Sequence, residues 1–228
     1  MSNMTVLVDL RSEFGPARDQ GPRPTCLAFA ASDTHAAQRS GWQPMSCEYA
    51  FYHAQKRSGS PPHRGSRLPS MLNVLRYDGQ PDEQGWPYLP TNPQDAASWQ
   101  PPTDVGELFR RNSVQLSAHV DALVQSMNQG NAAIVLLTLS RSFFMPDAQA
   151  LVHPAPGEVA DRAQRHAVIA VGHGTSGAER FVLVRNSWGT RWGSDGHAWL
   201  SETFLSSRLF AAASLTENVD VPSHSTPA

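Results

Sequence analysis

Four residue types in this chain stand where they could do chemistry together. Cys26 directly follows a proline-rich loop (Pro16, Gly21, Pro22, Pro24) and opens Cys26-Leu-Ala-Phe-Ala-Ala-Ser-Asp-Thr-His-Ala-Ala-Gln38, which lacks Gly and Pro. A thiol at the start of a helix meets the positive end of the helix dipole and unpaired amide N–H groups. Both favour the nucleophilic thiolate. His166 opens an apolar stretch, Asn186 follows another, and Gln20 precedes Gly21 in the loop ahead of Cys26. Taken singly, each has an ordinary reading. A free Cys is usually a small buried hydrophobe, a strand His a packed core residue, and an Asn after a strand a turn former.

The elements that must position these residues are legible in outline. Residues 26–38 predict a buried helix, stopped at Ser40-Gly41. Ser46–Lys56 predicts a second helix, and Met71–Tyr77, capped by Ser70 and ended by Asp78-Gly79, a short third. Six prolines between Pro81 and Pro102 mark an irregular crossover, and His119–Gln129 reads as a helix ended by Gly130. Thereafter the apolar, β-branched runs Ala132–Leu139, His166–Gly172, Arg180–Arg185 and His197–Leu200 predict strands. Helices first and strands second argue for an α+β chain rather than βαβ alternation. The expected organisation is one domain over 6–215, with a helical lobe at about 20–104, a strand lobe at about 105–215, and a flexible tail at 216–228.

Composition narrows the function classes. The 228 residues are 40% hydrophobic and 17% charged with a net charge of −2, and Lys56 is the sole lysine among 18 cationic residues, so no basic cluster suggests nucleic acid or an anionic membrane as partner. No apolar run is long enough to span a bilayer. No secretory signal is visible at the N-terminus, and two cysteines make no disulfide framework, so a reducing cytoplasm is expected. A Cys26–Cys47 bridge is the lesser alternative. No metal-ligand spacing stands out, and no cofactor is expected.

Order and spacing carry more than the single residues. Gln20-Gly-Pro-Arg-Pro-Thr-Cys26-Leu-Ala-Phe-Ala30 resembles the start of the active-site helix in papain-like cysteine peptidases, Arg165-His166-Ala-Val-Ile-Ala-Val-Gly-His-Gly174 resembles their histidine strand, and Arg185-Asn186-Ser-Trp188-Gly-Thr-Arg-Trp192-Gly193-Ser-Asp-Gly196 their asparagine motif. Cys26 and His166 are 140 positions apart, within the separation known for papain and cathepsins. Leu7–Arg11 and Gly85–Tyr88 add weaker likeness, so the resemblance runs over most of 6–205. It implies a papain-like two-lobe fold, with an N-terminal helical lobe, a C-terminal antiparallel β-barrel-like lobe and the active site in the cleft between them. It implies Cys26 as nucleophile, His166 as its base, Asn186 orienting the imidazole, Trp188 covering that hydrogen bond, and Gln20 in the oxyanion hole. A thiolate–imidazolium pair formed before substrate arrives is part of the same expectation.

The departures from the pattern are specific. Arg23 stands where a structural cysteine would be, Leu27 replaces an indole, and Arg165 replaces a carboxamide or carboxylate before the histidine. Arg165 is expected to point outward, since a cation facing His166 would oppose its protonation. The Cys-Asn-Gly-Gly segment is missing, leaving Gly65 as the flat backbone surface of that region. Residues 90–105 and 140–163 lack a counterpart, and Phe143, Phe144 and Met145 suggest that the second segment covers part of the cleft. The match begins near Met1, so no inhibitory pro-segment is expected, and restraint of activity is expected from narrow specificity, a protein regulator or the 140–163 segment. The expected function is hydrolysis of peptide bonds in a peptide or protein substrate through a thioester. The alternatives are an amidase, deamidase or transpeptidase using the same acyl-enzyme, and a catalytically silent binding domain.

Overall fold

The computed structural model describes residues 4–39, 41–95 and 97–218. Its helical side consists of α1 (Cys26–Ala37), α2 (Cys47–Ser58) and α3 (Leu68–Asn73), the last continued by a wider helical turn over Val74–Asp78. Every residue of α1 from Leu27 to Ala36 is buried, as expected of a helix without a polar face. Four of these are alanines, whose small side chains let the backbone approach its neighbours closely.

Local chemistry sets both ends of α2. The Ser46 hydroxyl accepts from the amide of Tyr49 at 3.1 Å and caps α2, which ends on left-handed Gly59. The third helix differs from expectation, because Ser70 lies inside it and caps nothing. The helix starts earlier, behind Arg67, with Pro69 in its first turn, where a proline costs no hydrogen bond. The first helix stops at Ala37 rather than at Ser40-Gly41, and Ser40 lies outside the described residues.

The other half is a sheet with helices on its far face. The strands are β1 (Thr5–Asp9), β2 (Arg111–Leu116), β3 (Ala133–Leu139), β4 (Leu151–Val152), β5 (Asp161–Ser176), β6 (Glu179–Arg185), β7 (His197–Ser201) and β8 (Leu209–Asn218). Helices α4 (Val120–Asn128), α5 (Arg141–Phe144) and α6 (Glu202–Ser206) are interspersed. Strand order is β2-β8-β3-β5-β6-β7-β4, with β1 also on β5. All pairings are antiparallel except β4 with β7. The barrel-like closure expected of this lobe is not observed: the sheet is open and mixed, with β2 and β4 as its two ends. Strand β8 runs to Asn218, into the stretch expected as a tail, while 219–228 lie outside the described residues.

The two faces of the sheet serve different cores. Ala167, Ile169 and Val171 of β5, with Ile134 and Ala213, pack with α1, α2 and α3. Val168, Ala170, Val135 and Ala212 point the other way and pack with α4, Phe143 and α6. This period-two alternation makes β5 the shared wall of both cores. Its first five residues are exposed and the next nine buried, so the strand enters the core at His166.

Candidate active site

Cys26 begins α1 and is partly buried. The Thr25 side chain does not cap the helix, because its hydroxyl is hydrogen-bonded with the Tyr88 hydroxyl at 2.8 Å. The first amides of the helix are therefore left for the sulfur. Burial pushes the Cys26 thiol up, while the amides of Ala167, Leu27 and Cys26 itself pull the other way. Ala167 is the residue after His166 on β5, so Sγ lies against the strand that carries the imidazole.

His166 is buried, and its Nε2 lies 2.7 Å from Asn186 Oδ1. That oxygen also accepts from the Ser187 amide at 2.8 Å. A flipped carboxamide would set NH2 against the Ser187 N–H, so the oxygen assignment follows from the partners. Nε2 therefore carries the proton of the neutral ring, and Nδ1 holds the lone pair that can receive another. Burial pulls the imidazole down to about 4, against the upward effect of the Asn186 bond. Burial thus works against each of the two charges taken singly, so an ion pair here depends on the two groups stabilising each other.

Asn186 is placed by the end of β6 and by the turn that follows. Its amide donates to Gly196 O at 2.9 Å. Gly193 in the same turn has φ +60°, and a Cβ there would lie 2.1 Å from His197 O, so the turn requires glycine. Trp188 tilts over the imidazole with ring centres 4.7 Å apart. Phe144 stacks on Trp188 at 5.4 Å and Phe143 meets it edge-on at 5.4 Å. Residues Phe143 and Phe144 thus lie beside the histidine as the support of the tryptophan, a role that sequence reasoning missed. The signal available was an aromatic pair in a segment already noted for lacking a counterpart.

Gln20 reaches the same place from the loop before α1. Its Nε2 donates to Arg23 O at 2.8 Å, and its Oε1 accepts from the Ser187 hydroxyl at 2.6 Å. Its amide donates to Ser187 O at 2.9 Å, and Tyr88 Oη donates to its carbonyl at 2.7 Å. One hydrogen of the carboxamide is engaged with Arg23 O, and no second acceptor is found for the other among the described residues. Ser187, with no nucleophilic assignment from the sequence, is a clamp between the glutamine loop and the asparagine turn.

Two buried charge networks hold this arrangement. Arg23, in the position of the missing cysteine, forms a fully buried pair with Glu48 of α2 at 2.5 Å. Glu48 also accepts from the Trp99 indole at 2.7 Å and the Leu89 amide at 3.1 Å. A charged network thereby joins the nucleophile loop, α2 and the 89–99 segment. On the other side of α1, Arg185 donates to Asp33 at 2.9 Å and to the carbonyls of Gly15 and Pro16. Arg185 directly precedes Asn186, and Asp33 lies on the helix that Cys26 opens. Arg165 is exposed, with its guanidinium 5.5 Å from the Phe210 ring centre. Adjacent strand residues point to opposite faces, which keeps Arg165 away from the imidazole.

Comparison with known proteins agrees with this geometry. The family described as papain family cysteine protease matches residues 6–207. Mouse pro-cathepsin H is 24% identical over 199 residues, covering 80% of this chain and 55% of that protein. Cysteine proteinase COT44 of Brassica napus is 59% identical over 32 residues, covering 14% of this chain and 10% of that protein. The chain thus spans about half the length of mouse pro-cathepsin H. Among solved structures, xylellain, a cysteine protease from Xylella fastidiosa, superposes with a TM-score of 0.79 at 20% identity, covering 93% of this chain and 86% of that one. A digestive procathepsin L 3 from Tenebrio molitor gives a TM-score of 0.68 at 17% identity, covering 92% and 69%. The two-lobe α+β fold and the match across 6–207 place this chain in the papain family of cysteine proteases.

Proposed function

We propose that residues 6–215 form a cysteine peptidase that cleaves peptide or protein substrates through Cys26, His166 and Asn186. The observation that carries the reading is the 2.7 Å bond from His166 Nε2 to Asn186 Oδ1, with Cys26 Sγ against the amide of the next residue on the same strand. The Sγ proton passes to His166 Nδ1, and the thiolate attacks the substrate carbonyl carbon. The Cys26 amide and the remaining Gln20 Nε2 hydrogen donate to the oxygen that becomes negative. The imidazolium then protonates the leaving amine, and a thioester remains on Sγ. Water, deprotonated by the now neutral His166, attacks the thioester and releases the acid.

Charge separation is unfavourable for each group alone, but the two charges form side by side. At close range they attract by a few kcal/mol even at an effective dielectric constant of about 20. The helix amides stabilise the thiolate and Asn186 the imidazolium. Trp188, backed by Phe143 and Phe144, keeps water from competing for the His166–Asn186 bond. The test is acid quenching during turnover of a peptide ester, followed by peptide mapping. The acyl mass is expected on Cys26 and is expected to vanish in Cys26→Ala. Hydrolysis by Cys26→Ala at the wild-type rate would overturn the reading.

A further inference from the structure

An open groove of about 600 Å³ lies where β5 leaves the cover of α1. Arg162, Arg165, Arg208, Thr138, Phe210 and Glu158 line it. Its position relative to the nucleophile follows from the strand. Ala167 lies under the start of α1, with its amide at Cys26 Sγ. Arg165, two residues earlier, projects from the same face of the sheet about 7 Å along the strand, beyond the helix end. A register irregularity opposite Thr138 and Leu139, where Arg165 pairs with Thr138 but Asp161 with Leu139, turns Arg162 toward the groove as well.

The groove is built for an anion. Three guanidinium groups face one carboxylate. Glu158 is already engaged by the Ser142 amide at 2.7 Å, the Ser142 hydroxyl at 2.6 Å and the Ala155 amide at 3.0 Å. Arg208 is buried, held by Ser140 Oγ at 3.1 Å and Phe204 O at 3.0 Å. Among the described residues its Nη2 finds no hydrogen-bond partner, and Glu158 Oε2 is 3.8 Å away. Arg162 and Arg165 are exposed, and Phe210, 42% exposed, offers an apolar surface under the Arg165 guanidinium. An apolar floor with cationic walls fits an aliphatic side chain that ends in a carboxylate.

We propose that this groove is a specificity subsite of the peptidase described above, taking a glutamate or aspartate side chain of the substrate one or two residues from the bond that is cut. An extended peptide advances about 3.3–3.6 Å per residue, so the separation from Sγ matches that span. The inference rests on the peptidase reading, but its test separates the two.

The test uses short fluorogenic peptide mixtures in which one position at a time, on either side of the scissile bond, is fixed as Glu, Gln or Lys. Wild type is expected to prefer Glu over Gln by about tenfold in kcat/KM at one position. The preference is expected to sit in KM and to shrink as salt is raised. In Arg162→Gln/Arg165→Gln the Glu-to-Gln ratio is expected to fall to about one, and Arg162→Glu/Arg165→Glu to turn the preference toward Lys. The reversal also shows that the variants are folded. Equal cleavage of Glu and Gln peptides at every position would overturn the subsite and leave the peptidase standing. A second arm measures binding of the same peptides to Cys26→Ala by fluorescence anisotropy. Tighter binding of Glu peptides there supports the groove even if wild type cleaves nothing, in which case the peptidase reading falls. Binding without a Glu preference overturns the groove whatever the cleavage result.

Discussion

The starts of α1 and α2 invite comparison, because each twelve-residue helix opens on one of the two cysteines. The helix dipole is common to both, yet their surroundings differ: at α2 the Tyr49 amide donates to Ser46 Oγ and the Cys47 amide to Glu83 Oε2, whereas Thr25 leaves the first amides of α1 uncapped. Cys47 is fully buried, and Arg18 Nη2 donates to its sulfur at 2.8 Å. Burial pushes its thiol far up despite that guanidinium, and the carboxylates of Glu83 and Asp33 add to the effect. Cys26 is partly exposed and lies against the histidine strand. The same helix position therefore yields a locked packing group in one case and a candidate nucleophile in the other. What separates them is access and a proton acceptor, not the dipole.

The strongest way to break this comparison is substitution of each sulfur. Cys26→Ala is expected to lower kcat by as much as about a millionfold, the scale seen when a nucleophile is removed. Cys47→Ala is expected to leave turnover within about a factor of two, since small changes away from the reacting groups rarely propagate. Initial rates on one fluorogenic peptide measure both. Comparable losses would show that the start of α2 belongs to the reaction. Next in size is the oxyanion donor. Gln20→Ala is expected to cost about 10²–10³-fold in kcat with little change in KM, and a loss confined to KM would remove Gln20 from that role. Asn186→Ala is expected to cost less than the loss of His166 itself, because it orients the ring rather than moving the proton, a step worth about 10²–10⁴-fold.

The comparison also marks where reading residues in order stops working. The helix behind Cys26 was legible because alanine-rich stretches without Gly or Pro have few other options. The motifs around His166 and Asn186 were legible because their residues are contiguous. The Ser187 clamp, the Arg23–Glu48 pair and the Phe143–Phe144 support of Trp188 were not, because each joins residues 25 to 167 positions apart, and the aromatic pair showed only that its segment lies near the cleft. Strands β2 and β8 escaped notice for a related reason. Their exposed or alanine-rich residues acquire strand structure only from pairing with each other and with β3. The open sheet in place of a barrel-like one is likewise a matter of pairing. The two cysteines show the same limit at single-residue scale: the sequence offers Cys47 only as a lesser bridge partner for Cys26, whereas in the fold both thiols are free and the Arg18 guanidinium holds Cys47.

A pH series sharpens the contrast through the histidine. His166, His35 and His197 are each held down to about 4 in the folded protein, with burial the largest cause. Their unfolded counterparts titrate near 6.5, so between these values the unfolded chain binds more protons. Stability from these groups is complete above about pH 6.5 and is lost as pH falls toward 4. For a fully buried imidazole the loss is on the order of 3 kcal/mol. Urea unfolding followed by tryptophan fluorescence at stepped pH checks this. His166→Gln is expected to flatten its share of the slope, while Cys47→Ala is expected to leave the slope unchanged. An equal slope in wild type and His166→Gln would mean that the imidazole titrates normally in the fold.

The smallest expected effect concerns Cys47 itself. Arg18 keeps Asp33 at 2.7 Å and Glu83 at 3.2 Å when the sulfur is gone, so Cys47→Ala leaves the guanidinium paired and removes one weak acceptor and a little volume. The cost to stability is expected at about 1–2 kcal/mol, measured as a shift of the urea midpoint with an unchanged slope. Arg18→Met leaves Asp33 and Glu83 short of a buried cation and is expected to cost about 3–5 kcal/mol. The sulfur would then count as a passenger of the Arg18 network. If Cys47→Ala proved as costly as Arg18→Met, the thiol would instead be a working member of it, and the start of α2 would need a second explanation beyond packing.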